Sequence, residues 1–167
     1  VEYVFVAVGG GGLIAGVAAY LGDVAPHVKV IPVEYDESAC LKAAFEANER
    51  VILPSVGLFA DGTAVAQIGE KPFEVIQLQK SDNSGPIVER DVVIVNTDEI
   101  CAAIKDTYDE CRSIVEPSGA MALAGIKKYV EAHGVENKNM VSIVCGANMN
   151  FDRLRYIAER TELGEHK

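Results

Sequence analysis

Short runs of apolar residues alternate along the chain with segments in which apolar residues recur at helical spacing. The runs are Val4–Val8, Val28–Val33, Val92–Val95 and Val141–Val144. Continuous apolar runs of this length are typical of strands that are covered on both faces. Because such strands alternate with helices, the pattern predicts an α/β fold with a mostly parallel sheet flanked by helices.

Start and stop signals mark several of the predicted helices. Asn96 and Glu99 form a plausible capping pair, Pro117 suits the first turn of a helix, and Gly134 suits a helix end. The predicted helices are Leu13–Leu21, one capped by Asp36 that continues to Ala47, one after Asn96, one from Pro117 to Gly134, and a last one from about Phe151.

Single residues add detail to this prediction. Pro32 lacks an N–H group, so the second strand is expected at a sheet edge or at a bulge. Residues 50–68 are punctuated by glycine and predict a loop region with one short helix. The helix after Asn96 is expected to bury one face, made of Ile100, Ile104, Thr107, Tyr108 and Cys111.

Composition and charge exclude several classes of partner. The chain has 167 residues, is 49% apolar and 24% charged, and carries a formal charge of −10. Such a charge repels a nucleic-acid backbone, and the only adjacent basic pair is Lys127–Lys128 on a predicted helix. No apolar run approaches the ~20 residues that span a bilayer. We therefore expect neither a nucleic-acid partner nor a membrane partner.

The four cysteines form no C-x-x-C pair, which argues against zinc binding and thioredoxin-type chemistry. Cys40, Cys101 and Cys111 are expected to be buried apolar residues in a reducing compartment. The compartment is therefore predicted to be the cytoplasm, or an organelle in a eukaryote.

The stretch VFVAVGGGGLIAG, Val4–Gly16, places a glycine loop between a strand and a helix. Gly10, Gly12 and Ala15 fit the G-x-G-x-x-A pattern of dinucleotide-binding folds, and Glu34 stands where a ribose-binding acid belongs. An NAD-binding module of the Rossmann type is therefore one reading. Four consecutive glycines instead suit a single compact phosphate held by backbone N–H groups. The loop alone leaves both readings open.

Four motifs in order connect the chain with a known family: VGGGGLIAG, GLFADGTAV, EPSGAMALAG and CGANMNFDRLR. Together they resemble the threonine dehydratases, which are pyridoxal-phosphate (PLP) enzymes of fold type II, and most closely the biosynthetic ones. The resemblance implies that L-threonine is converted to 2-oxobutanoate and ammonia, in the first step of isoleucine biosynthesis. It also implies isoleucine as an effector and a homo-oligomer, a tetramer. Serine racemase or serine dehydratase activity, with L-serine as substrate, is an alternative on the same scaffold.

The resemblance also implies roles for individual residues. Cys145 would face the pyridine nitrogen of the cofactor, while Glu116 and Asn148 would lie near its ring or the substrate. Glu116 could equally cap a helix, and Asp61 could equally be a turn residue. The backbone N–H groups that would bind the phosphate belong to Gly9, Gly10, Gly11, Gly12 and Leu13, and the loop near the substrate is formed by Ala60, Asp61 and Gly62.

The resemblance also shows what this sequence does not contain. The family's imine-forming lysine lies in a Ser-Phe-Lys-type motif upstream of the glycine loop, and no such motif occurs here. No catalytic residue is therefore assigned, and this chain alone is expected to be inactive and poorly stable. Residues 1–160 are expected to form the second half of a catalytic domain, and residues 161–167 a linker toward a regulatory domain.

Two further segments depart from relatives of this fold. Serine racemases bind a divalent cation near the segment that contains Glu34, but Cys40 stands here where an acid would be wanted. No metal site is therefore predicted. The segment Lys80–Asp91 is longer than expected before the third strand, and its role stays open.

Overall fold

Four parallel strands form the sheet of this protein, in the order β3-β2-β1-β4. The computed structural model describes residues 1–79 and 87–165, without the side chains of residues 163–165. The strands are β1 (Tyr3–Ala7), β2 (Lys29–Tyr35), β3 (Val93–Val95) and β4 (Met140–Ser142). The predicted α/β fold with a parallel sheet is confirmed.

Six α-helices accompany the sheet in the described residues, together with two short 3₁₀ turns at Asp36–Ser38 and Asp61–Thr63. They are α1 (Gly12–Val24), α2 (Cys40–Ala47), α3 (Glu70–Leu78), α4 (Thr97–Cys111), α5 (Pro117–His133) and α6 (Arg153–Glu165). None of these helices is long and apolar enough to cross a membrane.

The local signals place the ends of two helices correctly. The Asn96 side chain accepts from the Glu99 N–H at 3.0 Å, and the Glu99 carboxylate accepts from the Asn96 N–H at 2.7 Å, which completes a capping box at the start of α4. Helix α5 begins at Pro117 and is capped after His133 by Gly134, whose φ of 57° is left-handed. The prediction for α2 is wrong, because Asp36 starts a 3₁₀ turn and the helix begins only at Cys40.

The sheet separates two apolar layers because alternate strand residues point to opposite faces. Phe5, Ile31 and Met121 belong to the layer shared with α4 and α5. Val6 and Ile14 belong to the layer shared with α1, α2 and α3. Helix α5 lies close against β2, since a Cβ on Gly125 would overlap the Val33 side chain. The layers fix the carboxyl ends of the strands, where the predicted site residues lie.

Pro32 lies in an interior strand, so its predicted placement at an edge is wrong. Hydrogen bonds between Val30 and its neighbours at Ile87 and Glu89 show that Val30 faces the β3 side, and Pro32, two residues on, faces the same way. Pairing on that side is interrupted between the Val30–Val88 bridge and the Val33–Val93 pair. The missing N–H of Pro32 therefore falls in a gap in the ladder and removes no strand hydrogen bond.

The last part of the chain is more exposed than its apolar pattern predicts. Within the part of the chain that the structure describes, strand β4 pairs only with β1, and its residues are exposed or half-buried rather than buried. Tyr108 and Cys111 on α4 are also exposed, so only part of the predicted face of that helix is buried. Helix α6 continues to Glu165, into the segment 161–167 that is predicted to be a linker. A strand at the edge of a sheet can leave apolar residues exposed, so an apolar run in the sequence does not by itself show that its residues are buried.

The long segment before β3 is only partly described. Of Lys80–Asp91, residues 80–86 lie outside the described residues. Ile87 and Val88 after them are buried, and Val88 forms an isolated bridge to Val30. The second half of this segment thus extends the pairing of β2.

Candidate functional site

Four loops meet at the carboxyl edge of the sheet. The first joins β1 to α1 and contains the glycine run; the second contains the 3₁₀ turn Asp61–Thr63. The third leads into α5, and the fourth follows β4. Ligands of open parallel sheets bind at this edge. The predicted residues, which are spread over most of the sequence, therefore lie in one region.

The glycine run is held tightly at two of its four positions. A Cβ on Gly9 would lie 2.9 Å from the Cα of Thr63, so only glycine fits against that loop. Gly11 has a φ of 85° and would overlap the Ile68 side chain if it carried a Cβ. In addition, the Gly69 N–H donates to the Gly10 carbonyl at 3.0 Å. The loop is therefore a rigid platform fixed by its neighbours.

The other two glycines face open space. A Cβ on Gly10 or Gly12 would meet nothing within 4 Å, and both residues are exposed. Packing therefore gives no reason for glycine at either position. A ligand that approaches the backbone closely gives such a reason, because any side chain would stand in its way. These two positions form a cradle that a phosphate group fits.

Backbone donors line this cradle. Among the described residues, no hydrogen-bond acceptor is found for the N–H groups from Gly9 to Ile14, and the first satisfied donor of the helix is the Ala15 N–H, bonded to Gly11 O at 3.0 Å. Unpaired N–H groups at a helix start carry a partial positive charge and favour anions. The predicted donors Gly9, Gly10, Gly11, Gly12 and Leu13 thus share one helix terminus.

The Ala60–Gly62 loop forms the wall beside the cradle. Its Thr63 neighbour supports Gly9, and a Cβ on Gly62 would lie 2.9 Å from Ser118 Oγ and 3.0 Å from Glu116 Oε1. The loop therefore connects the glycine run with the start of α5. Asp61 itself is exposed, and its carboxylate accepts from the Gly62 N–H at 3.1 Å, as a turn residue does.

Glu116 stands at the start of α5 but makes no side-chain cap. Its Oε2 accepts from the Asn148 N–H at 2.8 Å, and its own N–H donates to Gly146 O at 3.2 Å. Glu116 thus ties the loop after β4 to the start of α5. The alternative reading as a capping side chain is wrong, and Asn148 contributes its backbone rather than its amide group to this contact.

Cys145 lies in this loop, three residues after β4, and is exposed rather than at the end of a buried strand. The strand ends earlier than its apolar pattern predicts. The Cys145 thiol donates a weak hydrogen bond to Ser118 O, with the atoms 3.7 Å apart. Desolvation by the neighbouring loops raises the pKa of Cys145 above its usual value, with Glu116 adding to the effect. The thiol is therefore neutral at physiological pH.

Two residues of this region were missed from the sequence. Ser118 Oγ is buried and has no hydrogen-bond partner within the described part of the chain, which is unusual for a buried hydroxyl. Arg153, the first residue of α6, donates to the carbonyl of Phe59 at 2.9 Å. Ser118 stands within the quoted motif EPSGAMALAG and Arg153 within the quoted motif CGANMNFDRLR, so both motifs pointed to this region, but neither residue was assigned a role.

Glu34 is not available to a ribose. It is fully buried, and its two carboxylate oxygens accept from the N–H groups of Leu41 at 2.7 Å and Lys42 at 2.9 Å. The Glu34 carboxylate, on strand β2, therefore accepts hydrogen bonds from N–H groups in the first turn of α2. Burial raises the pKa of Glu34 from 4.5 to about 7, although these hydrogen bonds lower it in part. The reading as an NAD-binding module with Glu34 on the ribose is wrong for this reason.

The described lysines all lie at the surface. Six of them form ion pairs and expose between 43% and 84% of their side chains. A lysine that bonds covalently to a cofactor needs a desolvated site, which none of these six occupies. Within residues 1–79 and 87–165, no group of three or more His, Cys, Asp or Glu residues is suited to a metal ion.

The family model described as pyridoxal-phosphate dependent enzyme matches residues 1–146, and the chain belongs to that family. Within the family it is similar to threonine dehydratases. It is 50% identical over 166 residues to the L-threonine dehydratase biosynthetic IlvA of Haemophilus influenzae, covering 99% of this chain and 31% of the relative. It is 55% identical to the mitochondrial threonine dehydratase of Saccharomyces cerevisiae, covering 98% and 28%. The resemblance drawn from the four motifs is confirmed.

Solved structures agree with these relatives. The processed form of threonine deaminase isoform 2 from Solanum lycopersicum matches with a TM-score of 0.88 and 44% identity, over 98% of this chain and 42% of that one. Maize serine racemase matches with a TM-score of 0.78 and 25% identity, over 100% and 49%. The chain thus spans about a third of the length of the curated relatives.

Proposed function

We propose that this chain is the part of a threonine dehydratase that binds the phosphate of pyridoxal phosphate and shapes one side of its active site. The single observation that carries the proposal is the cradle at Gly10 and Gly12, which the fold does not need and a phosphate does. The 50–55% identity to threonine dehydratases over nearly the whole chain supports L-threonine as the substrate. The products would be 2-oxobutanoate and ammonia.

In this proposal the glycine loop binds and orients the phosphate group of the cofactor. The N–H groups of Gly9 to Leu13 donate to phosphate oxygens, and the dipole of α1 adds to the attraction. Because Gly9 and Gly11 are wedged against Thr63 and Ile68, these donors are held in place before a ligand arrives. Such preorganised donors lose little entropy on binding.

Cys145 sets the electrostatic character of the other end of the site. Bound pyridoxal phosphate supplies an electron sink for the substrate carbanion. Cys145 would lie beside the pyridine nitrogen, and because burial raises the pKa of its thiol, it would present a neutral group there rather than a carboxylate.

The remaining machinery is proposed to lie in other parts of the protein to which this chain belongs. The lysine that bonds the cofactor and moves the α-proton would come from a separate segment, since the six paired lysines here are exposed. Residues 161–167 would lead toward a regulatory domain that binds isoleucine, within a homotetramer. The compartment would be the cytoplasm, or an organelle if the source is eukaryotic.

A segment exchange tests the proposal. The 166-residue matching segment of the Haemophilus influenzae relative would be replaced by this chain, and release of 2-oxobutanoate from L-threonine would be measured. We expect turnover within tenfold of the parent. A matched chimera carrying Gly12→Val should bind pyridoxal phosphate poorly and be inactive. Absence of turnover in a folded, cofactor-loaded chimera would refute the proposal, and faster turnover of L-serine or D-serine would favour the serine enzymes.

A further inference from the structure

The first residue of helix α6, Arg153, contacts a loop of the candidate site. Arg153 Nη2 donates to the Phe59 carbonyl at 2.9 Å, and its Nη1 lies 3.9 Å from Asp61 Oδ1. The guanidinium also lies over the Phe59 ring, with the carbon 5.3 Å from the ring centroid. One planar group therefore makes three different contacts with a single loop, which a lysine cannot reproduce.

The loop that Arg153 holds is the wall of the phosphate cradle. The Thr63 N–H and hydroxyl both donate to the Ala60 carbonyl, each at 2.9 Å. These bonds close the turn that places the Thr63 backbone against Gly9. Movement of Phe59 would therefore be passed through a short, rigid turn to the glycine run.

The other contacts of α6 fix the helix that carries Arg153. Arg160 Nε lies 2.9 Å from Asp98 Oδ1 on α4, and Ile157 is buried in the core layer on that side. Tyr156 packs its ring 6.0 Å from that of Phe59. Helix α6 thus rests on α4, and its first turn reaches across to the loop.

We infer that Arg153 is a positioning residue, which holds the Phe59–Gly62 loop in the geometry that the substrate and the phosphate cradle require. The inference rests on the proposed function for the role of that loop, but not for the contacts themselves. Arg153 exposes 31% of its side chain, so most of that side chain is shielded from water. A change in the position of α6 would in this way alter the active site.

Hydrogen exchange in the chimera that carries this chain within the Haemophilus influenzae relative tests the contact directly. Arg153→Met should speed exchange of the Thr63 and Ala64 amides, which bond to Ala60 and Asp61, about tenfold, since a hydrogen bond to a charged group is lost. Arg153→Lys should give an intermediate rate. The matched control is Arg155→Met, because Arg155 on the same helix is 88% exposed and pairs with Glu159 one turn away.

Two results would overturn the inference. The first is equal exchange at Thr63 and Ala64 in the Arg153→Met and Arg155→Met variants. The second is an equal acceleration at β1, which would show a general loss of stability instead of a local role. In the chimera, Arg153→Met should raise KM for L-threonine three- to tenfold with kcat within twofold. An inactive wild-type chimera would refute the proposed function, while the exchange data would still decide the role of Arg153.

Discussion

Gly12→Ala should separate ligand binding from folding, because the structure predicts opposite effects on the two. Gly12 is the first residue of α1, and a Cβ there meets nothing within 4 Å. Replacing a helical glycine whose φ suits alanine stabilises a protein by about 0.4–1 kcal/mol, chiefly by restricting the unfolded chain. For a domain of this size, that corresponds to a rise in Tm of roughly 1–4 °C.

The same methyl group should weaken phosphate binding. It occupies the space beside the unpaired N–H groups of Gly12 and Leu13, so a phosphate has to move away from them. Losing one or two charge-assisted hydrogen bonds of about 1.5–3 kcal/mol each lowers affinity at least tenfold. The net effect is a more stable chain that binds its ligand less tightly.

Urea unfolding with and without pyridoxal phosphate measures both quantities in one experiment. A ligand that binds only the folded state adds RT ln(1 + [L]/Kd) to stability, about 2.7 kcal/mol at a concentration of 100 Kd. The wild type should gain this increment and Gly12→Ala should gain much less, from a higher starting stability. If Gly12→Ala binds with unchanged affinity, the phosphate does not lie at this helix terminus, and the reasoning fails.

Three further predictions concern the scaffold. Glu34→Gln should remove a pH dependence of the free energy of unfolding. The pKa of Glu34 in the folded protein, about 7, exceeds the ordinary 4.5, so wild-type stability should fall by roughly 3 kcal/mol as pH rises from about 4 to 8. Urea unfolding that shows the same change of stability with pH in both proteins would contradict this. Gly119→Ala should destabilise by about 1–3 kcal/mol, because its Cβ would overlap the Gly146 carbonyl, whereas Gly16→Ala, which meets nothing within 4 Å, should not; equal Tm values would refute the close approach. Asn96→Ala should cost about 1 kcal/mol by calorimetry through loss of the capping box, and Asn96→Asp should restore most of it.

Local signals predicted the fold well because each acts within a few residues. The capping box at Asn96 and the Pro117 start of α5 depend only on nearby backbone groups, and both are confirmed. Asp36 does not cap α2, because the N–H groups in the first turn of α2 donate to the Glu34 carboxylate instead. That contact crosses from a strand to a helix, and no short pattern encodes it.

The candidate site shows the same division. The glycine run could be recognised from the sequence, because a turn between a strand and a helix does not by itself need four consecutive glycines. The exposure of Cys145 could not be predicted, because the apolar run before it has the same pattern in an edge strand and in an interior strand. Arg153 stands in the quoted motif CGANMNFDRLR, but its contacts could not be predicted because its partners, Phe59 and Asp61, lie 94 and 92 positions earlier in the numbering.

The parallel pairing of β1 with β4 has a consequence for the order of events during synthesis. The N–H of Asn139, just before β4, donates to the Glu2 side chain, 137 positions away. At ribosomal rates of ~5–20 residues per second, the β4 side of β1 stays open for roughly 7–27 s after β1 is made. Strand β2 can pair early, but an unpaired strand edge in a nascent chain is open to misassociation. This edge of β1 in the nascent protein is therefore exposed to misassembly, and in need of chaperone protection, until β4 emerges.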